Sequence, residues 1–193
     1  MAEILLQPKL LVSAYARGYF PMPDPETGEI VWMRPDPRAI LPLDGFRASR
    51  SLMRSIRKEP WRITRDQAFR EVMEGCAARP ETWITREFLD GYTALHQQGV
   101  AHSLEVWRDN ALVGGTYGVA LGGAFFAESK FHRISNASKV ALYHLVKHLR
   151  ESGFKLLEVQ FLTPHLESLG VIEVADEEYQ KKLTKALLTD ATY

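Results

Sequence analysis

Arg50, Arg54, Arg57 and Lys58 recur at intervals of three and four residues. On a helix such positions share one face, and a stripe of cations on one face suits the phosphates of a nucleic acid. A solvated helix surface is the ordinary reading of such a stripe, so it carries a function only with a second, independent sign. Other residue types with chemistry to offer are sparse. His144 and His148 form an i,i+4 pair, but no acid or cysteine stands at ligand spacing beside them, so no metal site is expected. Cys76 is the single cysteine, which excludes an internal disulfide and a cysteine-built zinc site. No Gly-x-Ser-x-Gly elbow is present to carry a serine nucleophile.

The 193 residues are 46% hydrophobic and 25% charged, the composition of a globular domain and not of a disordered or fibrous chain. Twenty-four Lys and Arg balance 24 Asp and Glu, which at face value disfavours a nucleic-acid partner. The sum conceals a segregation. Residues 47–65 hold seven bases against Glu59, about +6, whereas residues 151–193 hold eight acids against four lysines, about −4. Met1 to Leu11 has no basic segment ahead of its apolar stretch, and no apolar run approaches the roughly 18–20 residues that cross a bilayer. A soluble protein of the reducing cytoplasm, without a membrane partner, is expected.

The spacing predicts a helix over residues 5–19, then an irregular stretch. Six of the ten prolines lie between Pro21 and Pro42, so turn chemistry rather than ladders should set the backbone there. Ile30 to Met33 reads as a short strand, and Ile40 to Leu43 as an edge strand. From Trp61 the pattern alternates: a strand to Thr64, helices over 66–78 and 85–98, and strands over 101–107, 112–121 and 124–129. A helix over 138–151, a buried strand over 155–161, a helical turn at 166–169 and a last helix over 177–188 follow. The class is α+β with an antiparallel meander in the middle. A small N-terminal domain over residues 1–62, ending in the basic stripe, precedes a larger domain over 63–193.

The second sign comes from an ordered set of blocks. Gly18-Tyr19-Phe20-Pro21, Pro35-Asp36-Pro37-Arg38-Ala39 and Ser49-Arg50-Ser51-Leu52 precede Thr82-Trp83-Ile84-Thr85 and Ala101 to Trp107. Leu112 to Ala120, Phe125 to Ser129, Asn136 to Lys139, Glu158-Val159-Gln160, His165 and Ser168-Leu169-Gly170 complete it. In this order they resemble the bacterial leucyl/phenylalanyl-tRNA–protein transferases, from about residue 12 to 185.

The resemblance implies an enzyme that takes leucine or phenylalanine, with methionine a further candidate, from charged tRNA. It joins that residue to the α-amino group of a protein beginning with Lys or Arg, creating an N-degron for protein degradation. It also implies a larger domain with the fold of the GCN5-related (GNAT-like) acyltransferases. An aminoacyl ester is already activated, so attack by an amine needs positioning, proton removal and stabilisation of the developing oxyanion. By the resemblance, Glu158 and Gln160 are the catalytic pair. Period-two alternation puts both on one side of their strand, so Glu158 would polarise Gln160 against the amine. Glu128 matches the residue that holds the α-amino group of the aminoacyl moiety. Phe125, Leu142, Leu145 and Leu149 match the wall of its side-chain pocket. Trp83 matches an aromatic that stacks near the terminal adenosine, and Arg50, Arg54, Arg57 and Lys58 match a tRNA-binding cluster.

Some positions depart from that pattern. Met22 stands where a tryptophan is common, and Glu158 replaces an Asp. Lys130 and Thr116 replace apolar residues of the aminoacyl pocket and make it more polar. Two other readings are weighed against the transferase. An acetyl-CoA-dependent enzyme of the same fold needs a Gly-rich turn before its helix to hold pyrophosphate, and Lys130 to Ser138 contains no Gly-x-Gly, so no such cofactor is expected. A non-catalytic tRNA-binding module would not require Glu128, Glu158 and Gln160, all of which are present.

Overall fold

The computed structural model describes residues 6–193; residues 1–5, with the start of the expected 5–19 helix and part of the segment read for a targeting signal, lie outside the described residues. Helix α1 (Pro8–Tyr15) opens the chain with Pro8 in its first turn. It leads into a two-stranded antiparallel ribbon, β1 (Phe20–Pro23) and β2 (Ile30–Met33). The sequence predicts irregular backbone for the proline-rich start of this ribbon. It pairs because Pro21 and Pro23 alternate with ladder-bonding positions, as the Asp24 N–H to Glu29 carbonyl bond at the turn end shows. A missing N–H that faces an open edge takes nothing from the ladder.

The main sheet has seven strands in the order β4-β5-β6-β7-β8-β3-β9. Strands β4 (Arg62–Arg65), β5 (Ala101–Arg108), β6 (Ala111–Leu121) and β7 (Ala124–His132) form the expected antiparallel meander. Helix α5 (Ala137–Glu151) then crosses over, so β8 (Leu156–Gln160) lies parallel to β7. Strand β3 (Arg38–Ile40), expected at an edge over 40–43, is instead interior. It is bonded to β8 on one side and to β9 (Ile172–Val174) on the other. Residues 38–40, which precede residue 62, are thus built into the large sheet. Strand β9 takes the edge. Three residues show too little alternation to be read from sequence.

Helices cover both faces. Alongside α1, helices α3 (Phe69–Ala77), α4 (Arg86–Gln97) and α7 (Asp176–Leu187) pack on one face, where Tyr15, Phe69, Val72, Phe88, Tyr92, Tyr117 and Phe126 join a single core. On the other face α5 and α2 (Arg50–Lys58) bury Leu52, Leu104, Phe125, Leu145, Leu149 and Leu157. Neighbouring residues Phe125 and Phe126 therefore serve opposite cores, as strand alternation requires. The short α6 (Pro164–Ser168) links β8 to β9. Among the described residues no helix is long and apolar enough to cross a membrane.

Two irregularities shape the site. The parallel pairing of β7 and β8 runs only from Ala124↔Leu156 to Phe126↔Glu158, after which the strands part and leave a wedge. At the same level the β6–β7 register slips. Tyr117 faces Ser129 while Gly118 faces Ala127, leaving Glu128 as the extra residue of a bulge. Gly118 is required there, since a Cβ would sit 2.2 Å from the Phe126 carbonyl oxygen.

Candidate active site

The wedge between β7 and β8 opens into a cleft of about 620 Å³. Ala127 to His132 line one side, with Val159, Ser138, Leu142, His165 and Leu166 around them and Gly75, Arg79 and Trp83 facing them. Glu128 is the single carboxylate among the lining residues. The bulge turns its side chain toward α1 and α4, where Tyr15 Oη donates to Oε1 at 2.7 Å and Tyr92 Oη donates to Oε2 at 3.3 Å. The two tyrosine hydroxyls also touch each other. Burial pushes the Glu128 carboxyl up to about 8, the Glu158 charge adds to that rise, and the tyrosines and the Gln160 side chain oppose it. A buried carboxyl of this kind is prepared for a cation, whose arrival would return it to the ionised form.

Behind the cleft, Glu158 is 0% exposed. Its Oε1 accepts from Arg38 Nη1 at 3.1 Å and from the Gln160 main-chain N–H at 2.6 Å. Its Oε2 has no partner among the described residues. Burial raises its pKa, and Arg38 partly offsets the rise. The Arg38 guanidinium lies 5.1 Å from the Phe20 ring and 4.5 Å from the Tyr179 ring, and Nη2 donates to the Gly18 carbonyl. This arginine ties the N-terminal ribbon, the last helix and the end of β8 together.

Gln160 departs from the expected geometry. Its φ is +67°, a left-handed conformation that costs a non-glycine residue roughly 1–2 kcal/mol. Alternation therefore fails at this residue. Glu158 holds the Gln160 backbone rather than its amide, and the side chain is left to reach Glu128. Strained backbone of this sort persists where its surroundings hold it, and such places cluster at functional sites.

The structure brings Trp83, Thr116, Glu128, Lys130 and Leu142 together around one cleft, whereas Gln160 is not among its lining residues and its side chain bears on the site through Glu128. Trp83 is partly buried, edge-on to Phe88 at 5.2 Å. Thr116 Oγ1 donates to the Ser129 carbonyl at 2.9 Å, which leaves its methyl as the free part. Phe125, Leu145 and Leu149, expected in the pocket wall, do not line the cleft. Phe125 points to the α5 face and stacks on Tyr193 at 5.4 Å. Leu145 and Leu149 follow Leu142 by one and two turns, roughly 5 and 10 Å further along the helix, and lie in the core. Met22 packs part-buried in the ribbon. Arg50, Arg54, Arg57 and Lys58 line a separate open depression with Ala48 and Met53, and among the described residues none of the four forms an ion pair. His148 lies against Arg65, 2.6 Å from its Nη1.

Sequence reasoning gives no role to Tyr15, Tyr92, Arg38 or Arg79. Tyr15 and Tyr92 occupy apolar-periodic helix positions and look like ordinary core. Arg38 falls within the Pro35 to Ala39 block, the one signal that could have singled it out.

Residues 40–184 match the family described as leucyl/phenylalanyl-tRNA protein transferase, and residues 5–36 match the N-terminal domain of that family. A leucyl/phenylalanyl-tRNA–protein transferase of Salinibacter ruber is 52% identical over 182 residues, covering 94% of this chain and 80% of the relative. One from Herpetosiphon aurantiacus is 51% identical over 189 residues, covering 97% and 98%. Among solved structures, FemX superposes with a TM-score of 0.54 at 14% identity, over 86% of this chain and 66% of that one, a likeness of fold alone. The meander, crossover helix and splayed parallel pair make up the α+β fold shared with FemX. With both parts of the chain matched and half the residues identical to such relatives, the chain belongs to the leucyl/phenylalanyl-tRNA–protein transferase family.

Proposed function

We propose that the protein moves a leucyl or phenylalanyl group from its charged tRNA to the α-amino group of a protein that begins with Lys or Arg. The amine attacks the ester carbonyl, an amide bond forms, and the carbonyl–oxygen bond to the tRNA ribose breaks. The proton lost by the amine ends on the ribose hydroxyl. The product carries a new N-terminal residue that acts as a degradation signal, and the reaction runs in the cytoplasm.

The observation that supports this reading most is Glu128, a lone buried carboxyl on the cleft wall held by Tyr15 and Tyr92. In this reading it receives the α-ammonium of the donor, which fixes the ester carbonyl beside Gln160. Arg38 and Glu158 position Gln160 through its main chain, and the Gln160 amide orients the incoming amine. Trp83 stacks on the terminal adenosine, worth about 1–3 kcal/mol for such contacts, and Leu142 contacts the donor side chain. The stripe on α2 holds tRNA phosphates.

The test is transfer of labelled leucine or phenylalanine from charged tRNA to an Arg- or Lys-initiated peptide, with ribonuclease abolishing it. Folded protein that transfers nothing from any aminoacyl-tRNA overturns the reading and favours a tRNA-binding module.

A further inference from the structure

The cleft lining carries charges of both signs. Glu128 is its single lining carboxylate, whereas Lys130 and Arg79 line it with no acid beside them. Arg79 Nη2 donates to Ser129 Oγ at 3.2 Å and to the Lys130 carbonyl at 2.5 Å, and neither partner is charged. The Lys130 ammonium has no hydrogen bond or ion pair among the described residues. Burial and the Arg79 charge lower its pKa. The remaining groups nearby supply no anion. Burial pushes the Cys76 thiol up to about 12, and the Thr116 hydroxyl is spent on Ser129. His165 is held toward its neutral form by burial and by the charges of Lys130, Lys139 and His132.

Glu128, displaced by its bulge, and Lys130 both line this cleft from β7. That arrangement is the complement of an α-amino acid whose side chain ends in a carboxylate: an ammonium for Glu128, then one or two methylenes, then an anion for Lys130. A desolvated cation without a partner is costly, and an opposed carboxylate offsets that cost. A leucyl side chain in the same place leaves the ammonium uncompensated, although the lysine stem still offers apolar contact. We propose that Lys130, backed by Arg79, makes the donor pocket accept acidic aminoacyl groups, aspartyl or glutamyl, in addition to leucyl and phenylalanyl. This rests on the transferase reading above and uses the same acyl transfer.

The experiment charges tRNAs separately with labelled Leu, Phe, Asp and Glu and measures transfer to one Arg-initiated peptide by the parent, Lys130→Met and Lys130→Gln. Binding of uncharged tRNA and melting curves are recorded for each. The parent should transfer aspartyl or glutamyl groups measurably. Each variant should lower that transfer about tenfold or more relative to leucyl transfer, the scale expected when one member of a desolvated charge pair is removed. Leucyl or phenylalanyl transfer by the parent with no acidic transfer overturns the inference and leaves the transferase reading standing. Equal losses for all four donors, matched by weaker binding of uncharged tRNA, also overturn it and place Lys130 on a tRNA phosphate. Absence of transfer with every donor defeats the transferase reading itself.

Discussion

Arg38 and Glu158 meet with neither side chain open to solvent: Nη1 lies 3.1 Å from Oε1, and the side chains are 1% and 0% exposed. The pair joins β3 to β8 and stands directly behind Gln160. Breaking a buried pair by removing one member leaves an uncompensated charge, which typically costs about 3–5 kcal/mol. Arg38→Met should lower the unfolding free energy read from a urea titration by an amount of that order. Adding Glu158→Gln to it should restore part of the loss, because the stranded carboxyl is then gone. A double variant no more stable than the single one would mean that Arg38 acts through its stacking on Phe20 and Tyr179 instead.

The pH dependence of stability should trace to Glu128. Its folded pKa of about 8 lies above the ordinary 4.5, so between these values the native state holds a proton that the unfolded chain has released. Stability from this group is full below the lower value and is lost as pH rises toward the upper one. Glu128→Gln should therefore flatten the melting temperature between pH 5 and 8 and stabilise the protein at the alkaline end, on the order of a few kcal/mol. The same variant should lose most of its transfer activity. Melting curves across pH, beside the transfer assay, check both.

Gln160 offers a separation of stability from turnover. Glycine adopts a positive φ without penalty, so Gln160→Gly should leave stability unchanged or raise it by up to about 1 kcal/mol. Transfer should nevertheless fall, by about 100-fold or more if the amide orients the reacting amine. Affinity for charged tRNA should change much less. Equal losses in turnover and affinity would count against a positioning role at the reacting centre.

Helix α2 tests the tRNA surface. Arg54 and Arg57 are without acidic partners among the described residues, so replacing both with Ala should leave the melting temperature nearly unchanged. Binding of tRNA should weaken, and the slope of log affinity against log salt should shrink by about one for each phosphate no longer neutralised. An unchanged slope would remove the stripe from the interface.

Much of the scaffold is legible because its elements are long and strongly patterned. The meander over 101–132, the crossover helix to Glu151 and the strand at 156–160 show as alternation or as 3.6-residue periodicity in the chain. The short pieces are not. Strands β1, β3 and β9 hold three or four residues each, too few for a period, and the prolines of β1 conceal a ribbon. The site residues divide the same way. Glu128, Glu158 and Gln160 stand in ordered blocks, whereas Tyr15 and Tyr92 are indistinguishable from core until the fold puts a carboxyl between them.

The amino-acid sequence by itself determined the α+β class, the family resemblance, and the segregation of charge that a net of zero concealed. Those properties are local or ordered along the chain, so residue types and spacing carry them. The tertiary structure decided what the site residues touch. It gave Gln160 a left-handed backbone at the end of β8, gave the Glu158 carboxylate to Arg38, and packed Phe125 in the α5-side core away from the cleft lining. It also placed Lys130, Arg79 and Glu128 in the lining of one cavity. Contacts between residues 36 to 120 positions apart depend on how sheets splay and bulge, and no window of sequence contains that information.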